Sequence, residues 1–435
     1  AASDVYKRQQ LELPLKNHIK AEQNYSSTFI RNMSMPIHKW YRYTAGFSAE
    51  WVRELLEKEK ANGRTHVIDP FAGSGTVLLE SDLQGLLSIG LESHPYIYKI
   101  AKVKLNWNFD TALLKEKALD LLERANAKID NKLEYPDLIT RCFPIPILKK
   151  LDSLKQAWLE SPTDDDINDF TWFIITSILR PCSPVGTAQW QYIQPTKTKA
   201  KILDPYIAYV NKINDMCSDM QMVQSEFPAS TLACICRDDA RSINSIPDNW
   251  GDLVITSPPY ANNYDYADAT RFEMMFWGDI GGWKDLQGKV RTGLIRACTQ
   301  HVSGMSNEIE GFLIDDKLAS IKDELLAVYQ ELNDVRLSHG GKKNYHLMIA
   351  AYFKDMADVF ISLRKVTKKG SLMCFVIGDS APYGVHVPVE EWLGRLAIQA
   401  GFVNYSFEKL RDRNIKWKNR KHTVPLKEGR LWING

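Results

Sequence analysis

The chain has 435 residues, 44% hydrophobic and 25% charged, a globular mixture long enough for a catalytic core plus a sizeable insertion. Its formal net charge is only +2, which excludes a protein that coats nucleic acid by overall basicity. The seven cysteines lack the two-residue spacing of a zinc knuckle and read as free thiols of a cytoplasmic protein; no metal is implied, and no apolar stretch is long enough to span a membrane.

Residues Ala1 to Gln9 include Asp4-Val5-Tyr6-Lys7-Arg8-Gln9, which resembles a translated sequencing adapter, and are set aside as an artefact. Thr65 to Phe71 predict a short buried strand, Gly73 to Thr76 a turn, Val77 to Gln84 a helix closed by Gly85, and Leu86 to Glu92 a second strand. This is one strand-helix-strand unit of a parallel sheet. From about Asp110 to Ser230 the alternation stops, and acidic and proline-containing runs predict a mostly helical insertion. Asp252 to Thr256 predict another strand, followed by Ser257-Pro258-Pro259-Tyr260. Ile309 to Leu337 predict a further helical stretch, with Leu325, Leu326, Tyr329 and Leu332 as a core-packing stripe. Ser371 to Ile377, bounded by Gly370 and Gly378, predict one more strand. The expected fold class is α/β, a Rossmann-like sheet with a long helical insertion. Residues 10–108 and 231–435 would form the catalytic domain and 109–230 the insertion.

Two segments carry chemistry. Asp69-Pro70-Phe71-Ala72-Gly73-Ser74-Gly75-Thr76 puts an acidic residue at a strand's end, then a turn whose glycines let a ligand approach the backbone, then the free amides of a helix start. A carboxylate there would repel a pyrophosphate and suits an ammonium group. That favours a nucleoside-amino-acid cofactor over a dinucleotide. Glu92, at the end of the next strand, is placed to accept from ribose hydroxyls. In the second segment, Pro258 and Pro259 fix the backbone and remove two donors, leaving carbonyl acceptors. Ser257 adds a hydroxyl and Tyr260 a flat face. A base amine needs acceptors on its hydrogens to free its lone pair for methyl transfer. The aromatic face would hold a base drawn from the duplex, whose extrusion costs a few kcal/mol, against about 1–3 kcal/mol returned by one stacking contact.

Asp69 to Thr76 and Ser257 to Tyr260 resemble motifs I and IV of the S-adenosylmethionine-dependent amino-methyltransferases that act on DNA. His38-Lys39-Trp40-Tyr41-Arg42-Tyr43 with Phe47 is similar to the family's segment before motif I. Arg237-Asp238-Asp239-Ala240-Arg241 is similar to the motif whose aspartate contacts the cofactor's adenine, and Asp239 is the better match. The resemblance implies S-adenosyl-L-methionine as methyl donor, held by Asp69, Phe71, Gly73, Gly75, Thr76, Glu92 and Asp239. It implies base flipping, with Ser257, Pro258, Pro259 and Tyr260 at the target amine. Double-stranded DNA is the implied substrate, and a cognate restriction endonuclease is a companion the family allows. Serine at the head of motif IV is typical of N4-methylcytosine formation and aspartate of N6-methyladenine. In this family a recognition region often occupies the gap between the two motifs, here the insertion.

The alternatives are N6-adenine methylation, guanine-N2 methylation of RNA, and a non-catalytic DNA-binding subunit. Pro181-Cys182 resembles the nucleophile pair of C5-cytosine methyltransferases, but an enzyme of that chemistry would not need Ser257 to Tyr260. Cys182 therefore reads as a packed cysteine. Between Lys409 and Arg430 lie nine basic residues against two acidic ones. That is an expected phosphate-contacting edge, with Arg420 and Lys421 as contacts.

Overall fold

The computed structural model describes residues 29–43, 46, 48–128, 132–161, 165–187, 192–199, 201–228, 232–261, 264–413 and 425–435. Phe47, Arg420, Lys421 and the first nine residues lie outside this set.

The chain builds one central sheet. Helix α1 (Ala49–Ala61) precedes strand β1 (His66–Asp69), helix α2 (Thr76–Leu83), strand β2 (Leu87–Leu91) and helix α3 (Pro95–Leu105). Then come α4 (Thr111–Asn126), α5 (Asp137–Cys142), α6 (Ile145–Leu159) and α7 (Asp165–Cys182). A small hairpin of β3 (Val185–Thr187) and β4 (Ile193–Thr198) leads into α8 (Pro205–Glu226). The sheet resumes with β5 (Ala233–Cys236) and β6 (Gly251–Thr256). Short helices α9 (Tyr266–Ala269), α10 (Arg271–Trp277), α11 (Asp285–Lys289) and α12 (Ser306–Phe312) follow. Helices α13 (Lys322–Ser338) and α14 (Tyr345–Val366), strand β7 (Thr367–Gly378), helix α15 (Val389–Gln399), and strands β8 (Asn404–Arg413) and β9 (Leu426–Asn434) complete the fold.

The strand order is β5-β2-β1-β6-β7-β9-β8. The first five are parallel, and β9 pairs antiparallel with both β7 and β8. One reversed strand thus lies inside an otherwise parallel sheet. The expected α/β sheet is present, and the expected strands match β1, β2, β6 and β7 closely. Continuous apolar runs such as Leu253-Val254-Ile255, all essentially buried, are what a sheet covered on both faces requires. Successive strands lie to either side of β1, with β2 on one flank and β6 on the other. In such sheets the crevice at the carboxyl ends is the ligand-binding position.

The insertion is mostly helical, as expected, with the β3–β4 hairpin among its described residues. It shares a core with the sheet's helices. Leu79, Tyr96 and Ile100 from α2 and α3 belong to the same apolar cluster as Leu121, Leu151, Phe173 and Tyr209 of the insertion. The segment before α1 pins this junction. Asp219 of α8 accepts from the Ile37 amide at 3.1 Å and the Trp40 indole at 2.9 Å, and pairs with Lys39 at 2.8 Å. On the other side, His38 Nε2 meets Glu80 of α2 at 2.8 Å, and Arg53 completes the pair. The 38–43 segment therefore ties the cofactor-side helix to the insertion.

Along α13, Leu325 and Leu332 are buried, but Leu326 is exposed. The stripe is narrower than its four-residue spacing suggests. Leu326 follows Leu325 directly, about 100° round the helix, so it points away from the packed face.

Replacing Asp219 with alanine orphans two buried donors, Ile37 N and Trp40 Nε1, at a cost on the order of 1–3 kcal/mol each. Thermal unfolding of Asp219→Ala should show a clear drop in Tm, and an unchanged Tm would remove this residue from the junction.

Candidate functional site

A cleft opens where the ends of β1, β2 and β6 meet. It is lined by Asp69 to Ser74, Glu92 to His94, Asp238 to Ala240, Ser257, Pro259, Tyr43 and Tyr266. About 820 Å³ of atom-free space, open solvent at its mouth included, lies within it.

Asp69 ends β1 and is 1% exposed. Its Oδ1 accepts from Thr256 Oγ1 at 2.7 Å and from the Phe71 amide at 3.1 Å. The Thr256 bond joins the last residue of β6 to the last residue of β1, so the two sequence motifs are locked together by one buried contact. Both bonds fall on Oδ1, which leaves Oδ2 for a ligand. Burial pushes the carboxyl up to about 7.

Glu92 follows β2. Its Oε1 accepts from the His94 amide at 2.8 Å, and the Gly73 amide also donates to it. Enclosure by protein pushes this carboxyl up to about 8, with Asp69's charge adding to the shift. No cation of the described residues faces either group within ion-pair distance. Two neighbouring carboxylates stripped of water form a site that favours a cationic ligand.

The turn between them departs from the sequence reading in one respect. Gly73 and Gly75 take positive φ, 52° and 82°, as a left-handed turn requires. A Cβ on Gly73 would meet Tyr43 Cε1 at 2.8 Å. The space Gly73 leaves is thus partly taken by Tyr43, whose ring forms a wall of the cleft. Thr76 is the first residue of α2, Gly75 is its cap, and Phe71 is half-buried beside the cleft.

Asp238 and Asp239 both line the cleft. Asp238 Oδ2 accepts from Asn244 N, Ser245 N and Ser245 Oγ, so it serves the loop. Asp239 is held by Arg241, whose Nη2 donates to Oδ2 at 2.6 Å. Arg241 in turn reaches Asp355, a fully buried residue of α14 that also binds Arg296. This network places the 238–241 loop. Asp355 was not singled out in the sequence, where it is one of several charges along α14, with Lys354 and Asp358 beside it.

Ser257 and Pro259 reach the cleft wall. Ser257 Oγ donates to the Val376 carbonyl at 3.3 Å and also hydrogen-bonds the Tyr260 side chain. Pro258 is buried and Tyr260 half-buried. The Arg413 guanidinium stands over the Tyr260 ring at 5.2 Å, in space opened by Gly378, where a Cβ would meet Arg413 Nη1 at 2.6 Å. Of the residues after this loop, Tyr266 lines the cleft, whereas Phe272 stacks on Phe143 and Glu273 pairs with Arg180 in the packed interior.

His94 was not singled out by sequence. It caps α3 by accepting from Tyr96 N at 3.2 Å on Nδ1 and contacts Thr270 Oγ1 at 2.9 Å through Nε2. Burial lowers its pKa to about 4, so it is a neutral wall of the cleft at neutral pH.

Two sequence expectations outside the cleft come out differently from each other. Cys182 is buried at the end of α7, its thiol pushed up to about 12 by burial, which suits packing and not nucleophilic attack. The basic stretch near the C-terminus is largely neutralised where it is described. Arg411 and Arg413 pair with Glu428, Lys427 with Glu390, Arg430 with Glu408, and Lys409 with Asp412. Two of those carboxylates, Glu390 and Glu408, lie outside the counted run, and the other four basic residues of the run, Arg420 and Lys421 among them, lie outside the described residues.

Asp265, Cys298 and His301 approach one another closely enough to suggest metal ligands. Asp265 is already paired with the buried Arg291 at 2.6 Å, and that cation supplies the charge a metal would bring.

A Rossmann-like methyltransferase sheet with its cleft at the carboxyl ends of β1, β2 and β6 is the class that fold and site define. No family model matches the chain. The chain is similar to the type II methyltransferase M.BsoBI of Geobacillus stearothermophilus, 24% identical over 420 residues, covering 88% of this chain and 82% of that protein. It is 26% identical over 411 residues to the type II methyltransferase M.AvaI of Nostoc sp. PCC 7120, covering 86% and 81%. It is 19% identical over 403 residues to M.MvaI of Kocuria varians, covering 88% and 86%. Similarity that covers more than four-fifths of each chain supports a DNA methyltransferase.

Because Asp69 and Glu92 have raised folded-state pKa values, the folded chain holds more protons than the unfolded chain between about pH 4 and 8. Their contribution to stability is therefore present at low pH and lost as pH rises through 7 to 8. Asp69→Asn should raise the Tm of the ligand-free protein at pH 8.5 relative to wild type, and much less at pH 5. An equal shift at both pH values would contradict the desolvated carboxylate.

Proposed function

We propose that the chain is a site-specific DNA methyltransferase that transfers a methyl group from S-adenosyl-L-methionine to the exocyclic N4 of a flipped-out cytosine. One observation carries this reading. The Thr256–Asp69 hydrogen bond joins the strands that carry the two motifs, and Ser257 and Pro259 line the same cleft as the desolvated carboxylate pair, with Tyr260 next in the chain. A cation-selective pocket and an acceptor-rich loop beside it form the arrangement that methylation of an amine requires.

The residues fit the cofactor. Asp69 Oδ2 is open to its ammonium group, and Glu92 stands at the end of β2, where ribose hydroxyls are accepted. Gly73, Gly75 and Thr76 would give the backbone approach, and Phe71 and Asp239 would hold the adenine. When bound, S-adenosylmethionine supplies an electrophilic methyl. The chain's own residues prepare the nucleophile. Ser257 Oγ and the Pro258 carbonyl accept the two amine hydrogens, which draws the nitrogen lone pair out of ring conjugation. Pro259 keeps the loop rigid. Tyr260 offers a stacking face to the base, and Arg413 covers the opposite face. The methyl would pass from the donor's sulfur to the amine nitrogen, the S–C bond breaking as the N–C bond forms, and the methylated amine would shed its extra proton to solvent. No general base is needed.

Duplex DNA is the proposed substrate, and similarity to proteins named type II methyltransferases is compatible with a paired restriction endonuclease. No described helix is long and apolar enough to cross a membrane.

The test is incubation of unmodified DNA with labelled S-adenosylmethionine, digestion to nucleosides, and mass spectrometry. N4-methylcytosine is expected. N6-methyladenine would keep the fold and the roles but show that Ser257 does not select the base; N2-methylguanine formed only in RNA would overturn the DNA reading. Ser257→Ala should lower kcat on the order of 10²-fold, the scale for losing one preorganised polar contact to developing charge. Cys182→Ser should keep full activity, and its loss with folding intact would restore a thiol mechanism.

A further inference from the structure

A second groove lies next to the cleft, in the segment between α10 and α14. Its lining includes exposed Trp283, Lys284, Lys342 and Lys343, with the amide side chains Gln287, Gln300 and Asn344 between them. Among the described residues, no aspartate or glutamate lines it. The three lysines make no ion pair among the described residues. This sets the groove apart from the larger one between the 39–42 segment and the insertion. There Lys39 is spent on Asp215 and Asp219, Lys199 donates to the Arg180 carbonyl and Lys212 to the Trp40 carbonyl.

The amides are oriented by their neighbours. Gln300 Oε1 accepts from Cys298 Sγ and Thr299 Oγ1, and Asn344 Oδ1 accepts from Arg336 Nη1 at 2.6 Å. With their oxygens engaged, both present their NH₂ groups. The groove is therefore a surface of donors: ammonium groups at the rim and amide hydrogens within. Donors fit a polyanion whose base edges carry acceptors, and the major groove of DNA offers both, phosphates on its walls and N7, O6 and O4 on its floor.

Its position is set by the cleft. Arg291 lines the groove, with its guanidinium 4.8 Å from the Trp283 ring, and pairs with Asp265 at 2.6 Å. Asp265 caps α9, whose first residue, Tyr266, lines the cleft. Two residues after Arg291, Gly293 to Ile295 form part of the cleft wall. Groove and cleft share one piece of chain.

We propose that this groove is the DNA-reading surface, holding the duplex beside the base that enters the cleft, with Lys342 and Lys343 on phosphates and Gln300 and Asn344 on base edges. The proposal rests on the DNA methyltransferase reading and moves target recognition from the first insertion to the segment after the Ser257–Tyr260 loop.

The experiment uses the full chain with unmodified duplex DNA and reads three quantities: cofactor affinity, the salt dependence of DNA binding, and the distribution of methylated sites. The double variant Lys342→Glu/Lys343→Glu changes two exposed residues and should fold. It should weaken binding to all sequences alike and reduce the slope of log affinity against log salt by about two contacts. Gln300→Ala and Asn344→Ala should relax preference at a defined position of the site by roughly ten- to a hundredfold. Cofactor affinity should stay at the wild-type value in all of them. An unaltered salt slope and an unaltered site distribution would overturn the proposal. So would tighter binding to an RNA duplex of the same sequence. A wild-type chain that binds cofactor but methylates no DNA would instead overturn the functional reading on which the proposal stands.

Discussion

Asp69 and Glu92 stand at the ends of neighbouring strands, enclosed by protein, with no cation of the described residues beside them. Folding alone makes this arrangement unfavourable, since a buried carboxylate without a partner is pushed toward its neutral form. The surrounding structure holds it nonetheless. Thr256 fixes Asp69, the Gly73 and His94 amides fix Glu92, and Tyr43 closes the turn against Gly73. Everything that reaches the cleft is organised around this pair. The 238–241 loop is held by Arg241 and Asp355, and the Ser257–Tyr260 loop is anchored by the same Thr256 that binds Asp69. A cationic ligand that restores the missing charge is the physical complement of the site.

The second feature of the fold is how its insertions attach. The helical stretch between β2 and β5 packs into a core shared with α2 and α3, and the 38–43 segment fastens both with buried polar contacts. Tyr43, at the end of that segment, is itself a cleft wall. The insertion is therefore coupled to the cofactor turn through a short piece of chain, and not carried as an independent lobe. The later stretch, from α11 to α13, is coupled in the same manner through Arg291 and Asp265.

Much of this was legible in the sequence because it is local. Strands β1, β2, β6 and β7 are apolar runs with glycine or proline near one end. The two motifs are contiguous, so residues such as Asp69, Glu92 and Ser257 could be named together with the sheet edge they occupy. What was hidden depends on residues far apart in the chain. Tyr43, His94 and Tyr266 reach the cleft from three separate segments, and no periodicity marks them. Lys427 and Arg430 of the basic run near the C-terminus are neutralised by Glu390 and Glu408, which lie outside the window that was counted. Strand β5 is only four residues long, on the sheet's edge, and too short to show a pattern. The donor-lined groove was also invisible, since Lys284, Gln300 and Lys342 are separated by helices α12 and α13.

The most direct test of the carboxylate pair is isothermal titration of the protein with S-adenosylmethionine at pH 6.5, in buffers of different ionisation enthalpy. With Asp69 raised to about 7 and Glu92 to about 8, both are largely protonated in the free protein at that pH. A cationic ligand favours their ionised forms, so binding should release protons to the buffer, and Asp69→Asn should reduce that release. Tight binding with no proton release would contradict the account.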